Sequence, residues 1–128
     1  MKKSRIRATW ISRKERNIWC CDFGGFEGDI SGLITEIEAS QAVIEKQAED
    51  SLLVAIDLCQ AKMAPEIAAF FNTYSCRAEN PIHKMAILGL STFHRYWYRW
   101  FSGVKWPTNA GFFGDWEKAK DWLIEEGF

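Results

Sequence analysis

Leu52-Leu53-Val54-Ala55-Ile56-Asp57 is the stretch of sequence that decides the fold. An unbroken apolar run bounded by polar residues predicts a strand that is covered on both faces, as in the middle of a sheet with helices above and below. Met85-Ala86-Ile87-Leu88, which ends at Gly89, is a second run of this kind. Both runs therefore predict buried strands.

Amino-terminal to the first run, a hairpin and a long helix are predicted. Residues 5–12 and 17–23 are rich in Ile, Thr, Trp and Phe, and the polar stretch 13–16 separates them, which is typical of a β-hairpin. Asp29 or Ser31 can cap a helix that Asp50-Ser51 closes. Its apolar stripe is spaced near 3.6 residues and comprises Ile30, Leu33, Ile34, Ile37, Gln41, Ile44 and Ala48.

Helices and strands alternate through the rest of the chain. Pro65 is suited to the first position of a helix, and Ser91 or Thr92 can cap another over residues 93–101. Residues 110–113 predict a short strand, after which Asp115 caps a last helix. The pattern predicts an α/β fold, an open mixed sheet of four to five strands flanked by helices, with the first strand antiparallel.

Length and composition predict one domain over residues 1–128, with residues 1–4 disordered. Hydrophobic residues make up 48% and charged residues 26% of the chain, a globular balance. No apolar run approaches the roughly 20 residues of a membrane span, and no apolar segment of a secretory signal follows the basic start. We therefore expect a soluble, cytoplasmic protein without a membrane span.

Charge is concentrated at the start of the chain. Residues 1–16 carry a net charge of +6, whereas the other 112 residues carry −7. A basic arm could contact nucleic acid or an anionic surface by displacing counterions. The basic residues are better explained as the solvated side chains of an edge strand and hairpin turn, where charge discourages the addition of another strand. No base-reading motif accompanies them. No sequence-specific nucleic-acid partner is expected.

Enzyme motifs are incomplete. A phospho-accepting receiver domain has an acid, a hydroxyl and a lysine in the order in which this chain has Asp57, Ser91-Thr92 and Lys105. Such a domain also needs a pair of carboxylates to hold a metal ion, and here only Asp22 is available. It further needs a strand where this sequence predicts a long helix. Asp22-Phe23-Gly24 matches a kinase tripeptide with no companion motif and is interpreted as a turn. We expect no enzyme, with a receiver-like or small hydrolytic enzyme as the alternative.

Cysteines and histidines form no zinc spacing and no CxxC motif, so reduced structural thiols and no metal or cofactor are expected. A nucleophilic cysteine would need Cys59 beside His83 or His94, and no oxyanion motif accompanies it. The residues concerned are Cys20, Cys21, Cys59, Cys76, His83 and His94.

Several segments together resemble the STAS / SpoIIAA-like family. They are Ile18-Trp19-Cys20-Cys21-Asp22-Phe23, Leu53-Val54-Ala55-Ile56-Asp57-Leu58, Lys84-Met85-Ala86-Ile87-Leu88-Gly89 and the closing stretch from Phe112 to Leu123. The resemblance covers residues 5–126 and implies a regulatory module that binds a protein or ligand without catalysis. Family members that switch partners carry a phosphorylatable serine after the central strand. Residues 57–65 hold no hydroxyl side chain, so that switch is not expected here.

The carboxyl edge of the sheet is the predicted binding surface, because ligand sites of open α/β sheets gather there. The occupant would be a protein partner or a small apolar or anionic ligand, and a homodimer is left open. Aromatic residues 96–100 cannot all face one core, so a core role and an interface role both stay open. The predicted site comprises Cys59, Gln60, Lys62, Met63, Ser91, His94 and Trp97.

Overall fold

A computed structural model of the chain describes residues 8–26, 29–59, 65–75, 79–90 and 104–125. These residues form five strands and three helices. In chain order they are β1 (Thr9–Arg13), β2 (Arg16–Asp22), α1 (Ile30–Ile44), β3 (Leu52–Asp57), α2 (Pro65–Thr73), β4 (Ile82–Leu88), β5 (Ala110–Phe113) and α3 (Trp116–Ile124).

The five strands form one mixed sheet in the order β1-β2-β3-β4-β5. β1 is antiparallel to β2, and every other neighbouring pair is parallel. The predicted α/β class, the open mixed sheet and the antiparallel first strand are therefore confirmed. A receiver-type sheet, in which all strands are parallel and ordered 2-1-3-4-5, is a different arrangement.

The hairpin between β1 and β2 is tighter than the sequence suggests. The polar stretch 13–16 was predicted as the loop, yet Arg13 and Arg16 pair with each other as the last rung of the ladder. Only Lys14 and Glu15 form the turn, with φ angles of 50° and 68°. Two-residue hairpin turns need positive φ at both positions, because that twist matches the flanking strands.

The sheet buries both faces, because side chains alternate along each strand. Trp19, Val54 and Met85 face α1 and α2 in the larger core. The smaller core faces α3 and contains Ile18, Leu53, Ala55, Ala86 and Leu88. The continuous apolar run of β3 is explained by this double coverage, since all of its residues from Leu52 to Ile56 are buried.

Helix α1 departs from its predicted stripe at both ends. Of the two predicted capping candidates, Asp29 and Ser31, it is Asp29 that caps the helix, since its side chain accepts a 2.9 Å hydrogen bond from the Gly32 N–H. Ile30 was predicted to face the core, but it is 48% exposed. The helix ends at Ile44, which is its last buried residue, so Ala48 lies beyond it. After Ile44 the helical hydrogen-bond pattern tightens, because the Gln47 N–H donates to the Ile44 carbonyl oxygen, only three residues earlier. The buried face is instead completed by Gly32, Glu36 and Ser40.

Aromatic rings fill the space between α2 and the sheet. Pro65 begins α2 as predicted. Phe71 packs edge-on against Trp106 with ring centroids 5.0 Å apart, and Trp106 packs in the same manner against Phe112. The predicted third helix, residues 93–101, and the aromatic residues 96–100 lie outside the described residues.

Strand β4 begins three residues earlier than predicted, at Ile82. Asn80 explains the early start, because its side chain accepts a hydrogen bond from the Ile82 N–H. Asn109 adds support by donating to the carbonyl oxygens of Ile82 and His83. The strand therefore includes Lys84, a charged residue that is only 1% exposed.

Candidate functional site

Four parallel strands end at one edge of the sheet, which we call the carboxyl edge. β2 ends at Asp22 and β3 at Asp57, and these two residues are direct partners in the ladder. β4 ends at Leu88, the ladder partner of Asp57, and β5 ends at Phe113. Open α/β sheets bind ligands at this edge, because rigid strands there present loops that are free to vary.

The two carboxylates at this edge hold turns of the main chain. The Asp22 side chain accepts a 3.0 Å hydrogen bond from the Gly24 N–H. The Asp57 side chain accepts one of 2.8 Å from the Cys59 N–H. Aspartate commonly stabilises a turn by bonding to the backbone two residues on. Both side chains therefore help to direct the chain as it leaves β2 and β3.

Cys59 is held between two glycines that follow the neighbouring strands. A Cβ atom on Gly24 would overlap the carbonyl oxygen of Cys59. A Cβ atom on Gly89 would lie 2.5 Å from the Cys59 nitrogen and 2.7 Å from its sulfur. Gly89 also has φ of 92°, where side chains are strained. We call Gly24, Cys59 and Gly89 the glycine bracket; it joins the ends of β2, β3 and β4.

The Cys59 thiol is a poor nucleophile in this setting. A hydrogen bond to the Asp57 side chain raises the pKa of the thiol, and partial burial and the charges of Asp57 and Asp22 raise it further. Thiolates, rather than thiols, attack electrophiles, so a raised pKa opposes nucleophilic catalysis. The thiol is suited to donating a hydrogen bond, not to covalent chemistry.

His83 is too far from Cys59 to act as its base. It is the second residue of β4, whereas Cys59 follows the opposite end of the neighbouring β3. Five residues of strand separate His83 from the carboxyl edge, a distance of about 16 Å. The His83 Nδ1 instead contacts the Asp50 carboxylate at 2.8 Å. The Cys59–His83 pair that nucleophilic catalysis would need is therefore not assembled.

Lys105 also lies at the wrong end of the sheet for a receiver-type site. Its N–H donates a 2.7 Å hydrogen bond to the side chain of Asn72, which lies in the last turn of α2. Helix α2 starts on the carboxyl-edge side after β3, so its last turn lies towards the opposite edge. Asp57 and Lys105 are therefore separated by the length of a strand.

Of the predicted binding residues, the structure describes Cys59 and places it at the carboxyl edge. The others, Gln60, Lys62, Met63, Ser91, His94 and Trp97, lie outside the described residues. Sequence reasoning missed Gly24 and Gly89 as partners of Cys59. The available signal was their position, since each follows directly or nearly so on the end of a parallel strand.

Within the described ranges, no group of three or more His, Cys, Asp or Glu side chains is placed to hold a metal ion. None of the described helices has the length and apolar character needed to cross a bilayer. Comparison with known proteins adds no assignment: the chain matches no protein-family model, and no curated protein matches it.

Proposed function

We propose that the protein is a non-catalytic regulatory module of STAS-like fold that binds a protein partner or a small ligand at the carboxyl edge. The glycine bracket is the observation that carries the proposal. It fixes Cys59, the second residue after β3, against the ends of two other strands. Cys59, from which the chain continues to Lys62 and Met63, therefore has a fixed position, and groups that are already fixed lose less entropy on binding.

The chemistry at this edge favours binding over catalysis. The side chains of Asp22 and Asp57 each accept a hydrogen bond from a main-chain N–H group. The Cys59 thiol has a raised pKa. Two residues that an enzyme could have used here, Lys105 and His83, instead lie towards the far end of the sheet. A phospho-switch of the family type is not proposed, because residues 57–65 contain no hydroxyl side chain.

Affinity capture with two baits tests the binding role. The wild-type protein and a Lys62→Ser/Met63→Ser variant are used to capture partners from the native cell, and each captured partner is purified and titrated by calorimetry. We expect the double variant to bind at least about tenfold more weakly, because it loses a charge and an apolar contact. Lys118→Ser, an exposed position on α3, is the control and should bind as the wild type does.

A result in which the double variant binds normally, while removal of residues 1–7 abolishes binding, would place the functional surface on the basic arm. The receiver-like alternative has its own test. The protein is incubated with acetyl phosphate and Mg²⁺, and its intact mass is measured. Gain of one phosphoryl group by the wild type, but not by Asp57→Asn, would contradict the proposal.

A further inference from the structure

Helices α1 and α2 enclose a groove on the outer side of the larger core. Its volume is about 260 Å³, and all of its lining residues come from these two helices. Ile34 and Ile37 of α1 and Ala69 and Phe70 of α2 supply the apolar part of the lining. The groove extends along about two turns of each helix, which is the scale on which an amphipathic partner helix inserts side chains.

The rim of the groove is acidic. Glu38 of α1 and Glu66 of α2 both line it. Residues 29–45 and 65–75 contain five acidic side chains and no lysine or arginine, so no base of either helix neutralises the rim. An apolar groove between negative charges selects against acidic ligands and favours a segment that combines aliphatic and basic side chains.

One of these two rim carboxylates, that of Glu66, is partly buried. Its Oε1 atom is buried and has no hydrogen-bond partner within the part of the chain that the structure describes. A buried carboxylate oxygen without a donor costs free energy, so a rotation of this side chain towards a bound ammonium or guanidinium group would be favourable. Glu66 lies in the first turn of α2, a position at which the helix dipole favours negative charge.

We infer that this groove binds a basic amphipathic helix of a partner protein, with aliphatic side chains between α1 and α2 and lysine or arginine groups at Glu38 and Glu66. The groove is lined without Cys59, so the inference goes beyond the carboxyl-edge proposal and does not depend on it. Attraction across such an exposed rim weakens as salt is added, because the charges are screened beyond about 10 Å at 0.1 M salt.

A designed peptide tests the inference. The probe is a fluorescein-labelled amphipathic helix of leucine and lysine, and the comparison peptide carries glutamate in place of every lysine. We expect the lysine peptide to bind, to shift the backbone amide signals of Ile34, Ile37 and Ala69, and to bind more weakly as salt is raised. Binding of both peptides alike, or signal shifts confined to other surfaces, would overturn the inference.

Matched variants separate the rim from general charge. Glu38→Gln/Glu66→Gln should weaken binding of the lysine peptide about fivefold or more, because both carboxylates lose their charge. Glu49→Gln/Glu79→Gln removes two exposed acids that do not line the groove and should bind as the wild type does. Equal weakening in both variants would overturn the inference. Thermal unfolding of each variant verifies that it is folded.

Discussion

The ammonium group of Lys84 donates a 2.7 Å hydrogen bond to the carbonyl oxygen of Trp122, at the end of α3. The same group donates a second, of 2.9 Å, to the carbonyl oxygen of Glu125, and it lies 5.0 Å from the centroid of the Trp122 ring. The last carbonyls of a helix have no partner within the helix and carry partial negative charge. A lysine buried in β4 thus anchors the helix that covers the smaller core.

Replacing Lys84 with methionine should destabilise the protein. Met fills similar space but leaves the two carbonyl oxygens without their charged donor, so we expect a loss of about 1–3 kcal/mol in the free energy of unfolding. Urea unfolding measures it. Lys118→Met, at an exposed position on α3, is the control and should change stability little. A Lys84→Met variant as stable as the wild type would show that the anchor is dispensable.

Gly89→Ala tests the glycine bracket. The new Cβ would sit at φ of 92° and within 2.7 Å of the Cys59 sulfur. We expect the free energy of unfolding to fall by about 2–4 kcal/mol from backbone strain and overpacking together. Gly114→Ala is the matched control, since a Cβ there meets nothing within 4 Å. Equal melting temperatures for the two variants would contradict the close contact between Gly89 and Cys59 that defines the glycine bracket.

The cap of α1 distinguishes two residues that the sequence left as alternatives. Asp29→Ala removes the acceptor for the Gly32 N–H and should cost about 1 kcal/mol of stability. Ser31→Ala should be close to neutral, because the cap is made by Asp29. Chemical denaturation of both variants measures the difference. A larger loss at Ser31 than at Asp29 would mean that the helix begins elsewhere.

Stability should fall at alkaline pH through Cys21. Burial raises the pKa of this thiol from 9.0 to about 12. Above pH 9 the unfolded chain therefore loses a proton that the folded protein keeps. Because the unfolded state then binds fewer protons, the free energy of unfolding decreases as pH rises, by up to about 1.4 kcal/mol per pH unit.

Cys21→Ala isolates that contribution. Urea unfolding is measured for both proteins at about pH 8 and about pH 10, and the variant should lose less stability between the two. Cys20, Tyr74 and Lys84 also have shifted pKa values, but all three are present in both proteins, so most of their contribution cancels in the comparison. Equal losses in the two proteins would mean that Cys21 ionises freely in the folded state.

Local sequence signals were sufficient for the central elements of the fold. The apolar run from Leu52 to Ile56, the proline at the start of α2 and Asp115 before α3 each act through neighbours in the chain, so their structures follow from short-range chemistry. β4 was predicted too short because Lys84 interrupts the apolar pattern. The burial of Lys84 depends on the carbonyl groups of Trp122 and Glu125, which lie 38 and 41 residues further along the chain.

The candidate site was harder to predict for the same physical reason. A sequence shows that Gly24 and Gly89 follow strands, but not that both contact Cys59, because that contact requires the order in which the strands pair. Likewise, Lys105 and Asp57 occur in the order of a receiver domain. Only the direction of α2 reveals that they lie at opposite ends of the sheet.

Hydrogen–deuterium exchange with and without a captured, purified partner tests the carboxyl-edge proposal most directly. The proposal predicts slower exchange in peptides that cover residues 57–65 and 89–94, with little change in α3. Protection confined to residues 1–8, or to α1 and α2 with residues 57–65 unchanged, would contradict it.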